Sequence, residues 1–197
     1  MAPRPTFRPA TRADGAALAV LVDIAGEGMP TSFWQDLAGP GRSVLELGRD
    51  RARREEGGFS YRRATIAEIG DEIVAALIVY PLDDPNDLSK LDEMPAHVHP
   101  LLRLEAQAPG SWYVNVLATF GEFRGQGIGT ALLDVAEQRA RQASAGTMSI
   151  IVGTWNDGAC RLYRRAGYQE IATEPAILPA GFPQSGDWQL LTKPLGP

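Results

Sequence analysis

The sequence predicts a mixed α/β chain, an α+β sandwich with a seven-stranded, largely antiparallel sheet flanked by about four helices. Three observations carry that expectation. Two apolar runs, Phe59 to Ile69 and Glu72 to Tyr80, are separated only by Gly70-Asp71, which fits a tight antiparallel hairpin. From Gly127 to Ala145, residues Ile128, Leu132, Val135, Ala136 and Ala140 fall on one stripe at helical spacing, with charged residues elsewhere. The order of elements is strand, two helices, three strands, helix, strand, helix and two strands, which disfavours a doubly wound parallel sheet.

Taken in order, Phe7 to Arg12 reads as a first strand, and Asp14 offers an N-cap to a helix carrying Leu18, Leu21, Val22 and Ala25. Gly26 and Gly28 end that helix. Met29 to Gly41, with two prolines, Phe33 and Trp34, reads as a loop with short helical turns on the substrate side. Ser43 to Glu56 resumes as a helix and leads into the hairpin. Pro81 to Gly110 reads as an irregular insertion with a weak helical pattern around Val98 to Leu104, expected to lie over the acceptor side of the sheet. Trp112 to Thr119 is a buried strand that passes through a glycine-rich turn into the amphipathic helix, which Gly146 stops. Met148 to Thr154, Tyr168 to Thr173 and Asp187 to Lys193 are strands, and Asp157 to Ala166 is a short helix.

The 197 residues suit a single domain over 1–197. A net charge of −5 without any dense Lys/Arg run argues against nucleic acid as a partner, and an acidic balance suits an amine-bearing substrate. The single cysteine, Cys160, excludes an internal disulfide and fits a reducing compartment. Met1 to Ala10 holds three prolines and no apolar core of a secretory signal, and Ile73 to Tyr80 is too short to span a bilayer. A soluble, cytoplasmic protein with no membrane partner is expected.

The densest chemical signal is Arg124-Gly125-Gln126-Gly127-Ile128-Gly129, between a strand and the start of a helix. The first turn of a helix offers backbone N–H groups without internal partners, and the macrodipole adds partial positive charge, so an anion is favoured there. A strand-to-helix turn that needs glycine only for its backbone angles explains the cluster equally well. A dinucleotide fingerprint would need glycine at position 130, where Thr130 stands, and the Gly-Lys-Ser/Thr ending of a Walker loop is absent.

Arg124 to Gly129 resembles the Arg/Gln-x-x-Gly-x-Gly/Ala signature of the GNAT acetyltransferases, preceded as in many members by a strand ending Leu117-Ala118-Thr119. Asn156-Asp157-Gly158-Ala159-Cys160-Arg161-Leu162-Tyr163, followed by Gly167-Tyr168, is similar to the family's second signature. The resemblance covers roughly residues 112–173 and implies the GNAT fold, with this stretch as the acetyl-CoA-binding core. It implies that Leu117, Ala118 and Thr119, on a strand splayed from its neighbour by a bulge, face pantetheine. Arg124, Gly125, Gln126, Gly127, Ile128, Gly129 and Thr130 would then face the pyrophosphate. Gly121 stands where proline is common.

By the same resemblance Tyr163 is the general acid that protonates the departing thiolate, and a phenol's ordinary pKa of about 10 lets it arrive protonated. The alternative is a half-buried helix tyrosine. Asn156 would bond pantetheine or a water, or cap its helix, or both. The N–H of Thr119 or a neighbour is the expected oxyanion donor. The general base is unassigned: Asn115 occupies the position where some members place a glutamate, and Glu105, His97, His99 and Glu68 stand as candidates acting through water. Cys160 reads as a packed residue rather than a nucleophile, and no third ligand joins His97 and His99, so no metal is expected.

The implied activity is direct transfer of an acetyl group from acetyl-CoA, the cosubstrate, to a primary amine of a small molecule. Met29 to Leu37 and Pro81 to Gly110 would wall the acceptor pocket. Two rivals are a non-catalytic acyl-CoA-binding or regulatory module, suggested by Asn115, and acetylation of a protein N-terminus or lysine. A homodimer is common in the family.

Overall fold

The computed structural model describes residues 4–196. Its strands hydrogen-bond in the order β1-β2-β3-β4-β5-β7-β6, numbered along the chain, and form a seven-stranded mixed sheet accompanied by six α-helices. The chain divides into two compact units, each built from two segments. One holds Met1–Val79 and Asn115–Asp134; the other holds Tyr80–Val114 and Val135–Pro197.

In the first unit, β1 (Thr6–Pro9) pairs antiparallel with β2 (Ala64–Ile69), and β2 pairs antiparallel with β3 (Glu72–Pro81) through the expected Gly70-Asp71 link. Gly70 adopts φ 62°, a left-handed conformation that favours glycine and lets the hairpin close in so short a span. The β2–β3 core is apolar and fully covered, with Ile66, Ala67 and Val74 through Ile78 all inaccessible. Helix α1 (Gly15–Ala25) buries Leu18, Leu21 and Val22. Helix α3 (Val44–Ala52) starts on a capping box: the Ser43 hydroxyl accepts from Leu45 N at 3.3 Å and the Glu46 carboxylate accepts from Ser43 N at 3.2 Å.

Two expectations fail here for local reasons. Met29 to Gly41 is not a loop: Met29–Ala38 forms a regular helix, α2. Gly28, at φ 90°, turns the chain into it, Pro30 occupies the first turn where a missing N–H costs nothing, and Thr31 N donates to Asp23 Oδ1 at 2.9 Å. Trp34 is only 4% exposed and lies against Gly48, where a Cβ would stand 2.3 Å from the ring, so it belongs to the core and is no pocket wall. Phe59 to Arg63 is likewise not strand. Ser60 is buried, its hydroxyl donating to Arg54 O at 2.6 Å and accepting from Arg62 N at 3.2 Å, and these bonds hold a 3-10 turn in place of a ladder.

In the second unit, Leu82 N donates to Ser111 O at 2.9 Å where the ends of the 81–110 segment meet. That segment contains two 3-10 turns and the short helix α4 (His99–Glu105), matching the weak helical pattern of its sequence. Strand β4 (Trp112–Thr119) runs parallel to β5 (Thr147–Gly153), with Trp112, Tyr113 and Val114 opposite Met148, Ser149 and Ile150. Strand β7 (Asp187–Pro194) pairs antiparallel with β5 and with β6 (Gln169–Pro175). Helix α5 (Ile128–Gln142) begins in the first unit and ends in the second, where Ala136 and Ala140 are fully buried and Glu137 accepts from Lys193 Nζ at 2.6 Å. Helix α6 is Asp157–Arg165. The two helices beyond the expected four are α2 and α4. Among the described residues no helix is long and apolar enough to cross a membrane.

The first unit is also tied by ions. Arg8 donates to both Asp14 oxygens, at 2.8 and 2.9 Å, and to Glu68 Oε1 at 2.6 and 2.9 Å, while Thr11 N donates to Asp14 at 2.6 Å. The Arg8 hydrogen bonds hold the buried Asp14 carboxyl below its ordinary range, against the opposing effect of burial. A carboxyl depressed in the folded state adds stability above its unfolded pKa, near 4, and loses it as pH falls through the folded value. Urea unfolding between pH 6 and pH 2 is therefore expected to show stability falling on the acid side. Asp14→Asn should flatten part of that fall and lower stability at pH 6 by roughly 1–3 kcal/mol.

Candidate active site

The last half of β4 carries Leu117, Ala118 and Thr119, alternating in burial as a strand should: Val116 and Ala118 are buried, Leu117 and Thr119 half-buried on the opposite face. A 3-10 turn, Gly121–Phe123, follows. The chain then passes Arg124 through Gly127 and enters α5 at Ile128. Gly125 and Gly127 have φ of 75° and 82°, conformations that side chains rarely adopt, so the turn depends on glycine at both. A Cβ built on either meets nothing within 4 Å, which leaves the turn open on that side.

The long side chains of the turn are directed at its own backbone. Arg124 Nε donates to Thr119 O at 3.2 Å and Gln126 Nε2 donates to Glu122 O at 3.3 Å. These bonds fix the path from strand to helix, and they leave the first-turn amides of α5, which lack intrahelical acceptors, as the groups offered to a ligand. Residues present thus fit a diphosphate: glycines without side chains, first-turn amides that the helix itself does not bond, and the positive end of a fifteen-residue helix. Ile128 is buried and anchors the helix, while Thr130 is exposed on its first turn.

Asn115 is occupied structurally. Its Nδ2 donates to Gly58 O at 3.0 Å, tying β4 to the turn before β2. Glu68 is ion-paired with Arg8.

In the second unit, Asn156 acts as the N-cap of α6, its Oδ1 accepting from Ala159 N at 3.0 Å. Tyr163, one stripe further along α6, is 5% exposed, and its ring lies 6.0 Å from that of Tyr168. Burial, then the nearby Cys160, pushes the Tyr163 phenol well above its ordinary value, so it is neutral and proton-bearing across the working pH range. Cys160 is a packed thiol: its Sγ accepts from Gln189 Nε2 at 2.9 Å and faces Gly153 O at 3.6 Å, and burial pushes its pKa up. His99 Nε2 is bonded to Met94 O at 2.8 Å.

A feature the sequence does not reveal surrounds Glu105, the last residue of α4. Burial pushes its carboxyl up to about 7, with the Tyr113 hydroxyl hydrogen-bonded to it and pulling the other way. Tyr113 in turn meets Tyr80 edge-on, ring centroids 5.7 Å apart. Tyr80 and Tyr113 lie thirty-odd positions apart at the ends of two strands, and no spacing rule links them before the strands pair.

The profile of the Acetyltransferase (GNAT) family matches residues 31–168, well over half of the chain. The chain belongs to the GNAT acetyltransferase family. Among curated proteins it is 41% identical over 49 residues to an uncharacterized N-acetyltransferase of Methanocaldococcus jannaschii, a match covering 25% of this chain and 22% of that protein. It is 37% identical over 81 residues to an acetyltransferase of Agrobacterium fabrum, covering 41% of this chain and 56% of that one. The matches thus span less than two thirds of either relative. In structure it resembles a polyamine N-acetyltransferase of Drosophila melanogaster described as forming N-acetylagmatine. That likeness has a TM-score of 0.66 at 18% identity and covers 97% of this chain and 100% of that one.

As the Asn115 amide is a tie between backbone segments, Asn115→Asp replaces a donor with an anion facing the Gly58 carbonyl. A loss of roughly 1–3 kcal/mol in urea unfolding at pH 7 is expected, with Asn115→Gln or Ala losing no more.

Proposed function

We propose that this GNAT protein transfers an acetyl group from acetyl-CoA to the primary amine of a small molecule, directly, in a ternary complex. The observation that carries the reading is the open glycine turn at the start of α5, with Gly125 and Gly127 at positive φ and nothing within 4 Å of where their Cβ atoms would be. Backbone amides from Gly125 through Thr130 hold the diphosphate, with Arg124 and Gln126 fixing the turn's shape. The main chain at Leu117, Ala118 and Thr119 pairs with the pantetheine arm, and a Thr119 or neighbouring N–H stabilises charge on the carbonyl oxygen. Bound acetyl-CoA supplies the activated acyl group and the thiolate leaving group.

Tyr163 gives that thiolate its proton. Its burial supports the role, since a phenol kept neutral is ready as an acid. Asn156 positions α6, and with it Tyr163, by capping the helix. A small amine acceptor is supported by the acidic character of the 81–110 segment, which carries Asp83, Asp84, Asp87, Asp92 and Glu93, and by the net charge of −5. The polyamine enzyme with the same fold points the same way.

Acetyl-CoA at a hundred times its Kd should stabilise the protein by about 2.7 kcal/mol, read as a rise in Tm that free adenosine phosphates do not match at equal concentration. No shift with well-folded protein would remove the cofactor assignment. Tyr163→Phe should lower kcat by roughly a hundredfold or more while acetyl-CoA affinity, measured by calorimetry, stays near wild type. Equal turnover in the Phe variant across the pH range would take Tyr163 out of the acid role.

A further inference from the structure

Strand β5 ends at Gly153, and the chain turns there into the cap of α6, the helix that carries Tyr163. Asn156 N donates to Gly153 O at 3.0 Å, so Thr154 and Trp155 occupy the two central places of a tight turn. That turn is gripped by the start of β7. Thr154 N donates to Asp187 O at 2.9 Å, and Asp187 N donates to Thr154 Oγ1 at 3.1 Å. The Trp155 indole lies on Gly153 itself, where a Cβ would stand 2.3 Å from the nearest ring atom. It meets the Trp188 ring edge-on, with centroids 4.8 Å apart and planes at 62°. A Cβ on Gly186 would stand 3.3 Å from the same indole and 2.5 Å from Thr154 Oγ1. Trp188, opposite Gly153 on β7, is buried.

Gly153 is not among the glycines at positive φ, so its backbone conformation does not demand glycine; the indole lying on it does. Two indoles packed edge to face, one of them buried, hold their rotamers, and Trp155 therefore fixes the turn that precedes the cap. The frame of α6 is set from that turn. Asn156 Oδ1 accepts from Ala159 N at 3.0 Å and Cys160 N donates to Asn156 O at 2.9 Å. Tyr163 follows on the same face of the helix, about two turns along. Cys160 Sγ faces Gly153 O at 3.6 Å and accepts from Gln189 Nε2 of β7 at 2.9 Å, which ties the first turn of α6 to the same two strands. The far end is closed separately, by Gly167 at φ 92° and by Tyr168 N donating to Tyr163 O at 3.0 Å.

We infer that Trp155, held between Gly153 and Trp188, is a positioning residue for Tyr163: it sets where α6 begins and so where the phenol meets the departing thiolate. The inference rests on the acid role of Tyr163 given above and adds no chemical step to it. A proton passes between heavy atoms only within hydrogen-bond reach, roughly 2.6–3.2 Å, so a small displacement of the helix start lowers turnover. Affinity for acetyl-CoA, which depends on the glycine turn ahead of α5, is kept. A tryptophan that served only the packing of β5 on β7 would cost stability and leave the turnover of the folded protein unchanged.

Gly153→Ala keeps both indoles and adds one methyl group where the ring lies, so it tests the placement directly. Its kcat should fall roughly tenfold, with acetyl-CoA affinity by calorimetry near wild type. Trp155→Ala should do the same, and Trp155→Phe, which keeps an aromatic partner for Trp188, should recover most of the turnover. The deciding measurement is made in the Tyr163→Phe background, where neither Gly153→Ala nor Trp155→Ala should lower kcat further, because the phenol they place is gone. Should Gly153→Ala fail to fold, Trp155→Ala carries the same comparison. A full tenfold loss added on that background, or folded single variants that turn over as wild type, overturns the positioning role and leaves the acid role standing. Tyr163→Phe that turns over as wild type overturns both.

Discussion

A helix that begins in the open must find acceptors for its first amides, and α5 begins at a turn whose glycines carry no side chain to supply them. Arg124 and Gln126 are spent on the carbonyls of Thr119 and Glu122. Gly125 and Gly127 contribute no atoms beyond the backbone. The ligand-facing chemistry is therefore main-chain chemistry, and what the motif specifies is a path through φ/ψ space rather than a set of reactive groups. Rigidity of that path comes from β4 on one side and from the buried Ile128 and Leu132 of α5 on the other.

Burial does two opposed things at Tyr163. It keeps the phenol neutral, which suits a proton donor, and it penalises the phenolate that donation creates. In water the second effect would be relieved at once by solvent. Glu68 is paired with Arg8 and serves the packing of β1 on β2.

The elements most legible in the sequence were those governed by a single period or a single turn chemistry. The stripe of α5, the hairpin at Gly70-Asp71 and the strands β4 and β5 are found within a few residues of where periodicity places them. Segments where one residue type has two physical meanings were not. Gly28 and Pro30 read as breakers, yet in that order they start α2, because glycine admits the left-handed entry and proline lacks only an N–H the first turn leaves unpaired. The Phe59 to Arg63 stretch reads as the start of the hairpin strand, and the bonds of one buried serine hydroxyl decide otherwise. The motif residues of the site were likewise legible, but not their surroundings. Glu105 and Glu68 are indistinguishable as letters, and only the tertiary fold gives one a cation and the other a phenol.

The path of β4 decides what Asn115 can do. The strand enters with Tyr113 and proceeds to Asn115, whose amide is needed as a donor to the Gly58 carbonyl; a carboxylate there would face that carbonyl unpaired. The 81–110 segment reaches β4 through the Leu82–Ser111 bond, and Ser111 is pinned again by its hydroxyl to Ala108 O and to the Ser149 hydroxyl of β5. The end of α4 is thereby fixed a few residues from Tyr113, and Arg103, two residues earlier, secures the helix to Glu174 on β6. An insertion that looks irregular in sequence thus ends on a hydrogen-bonded closure at Ser111, at the foot of β4.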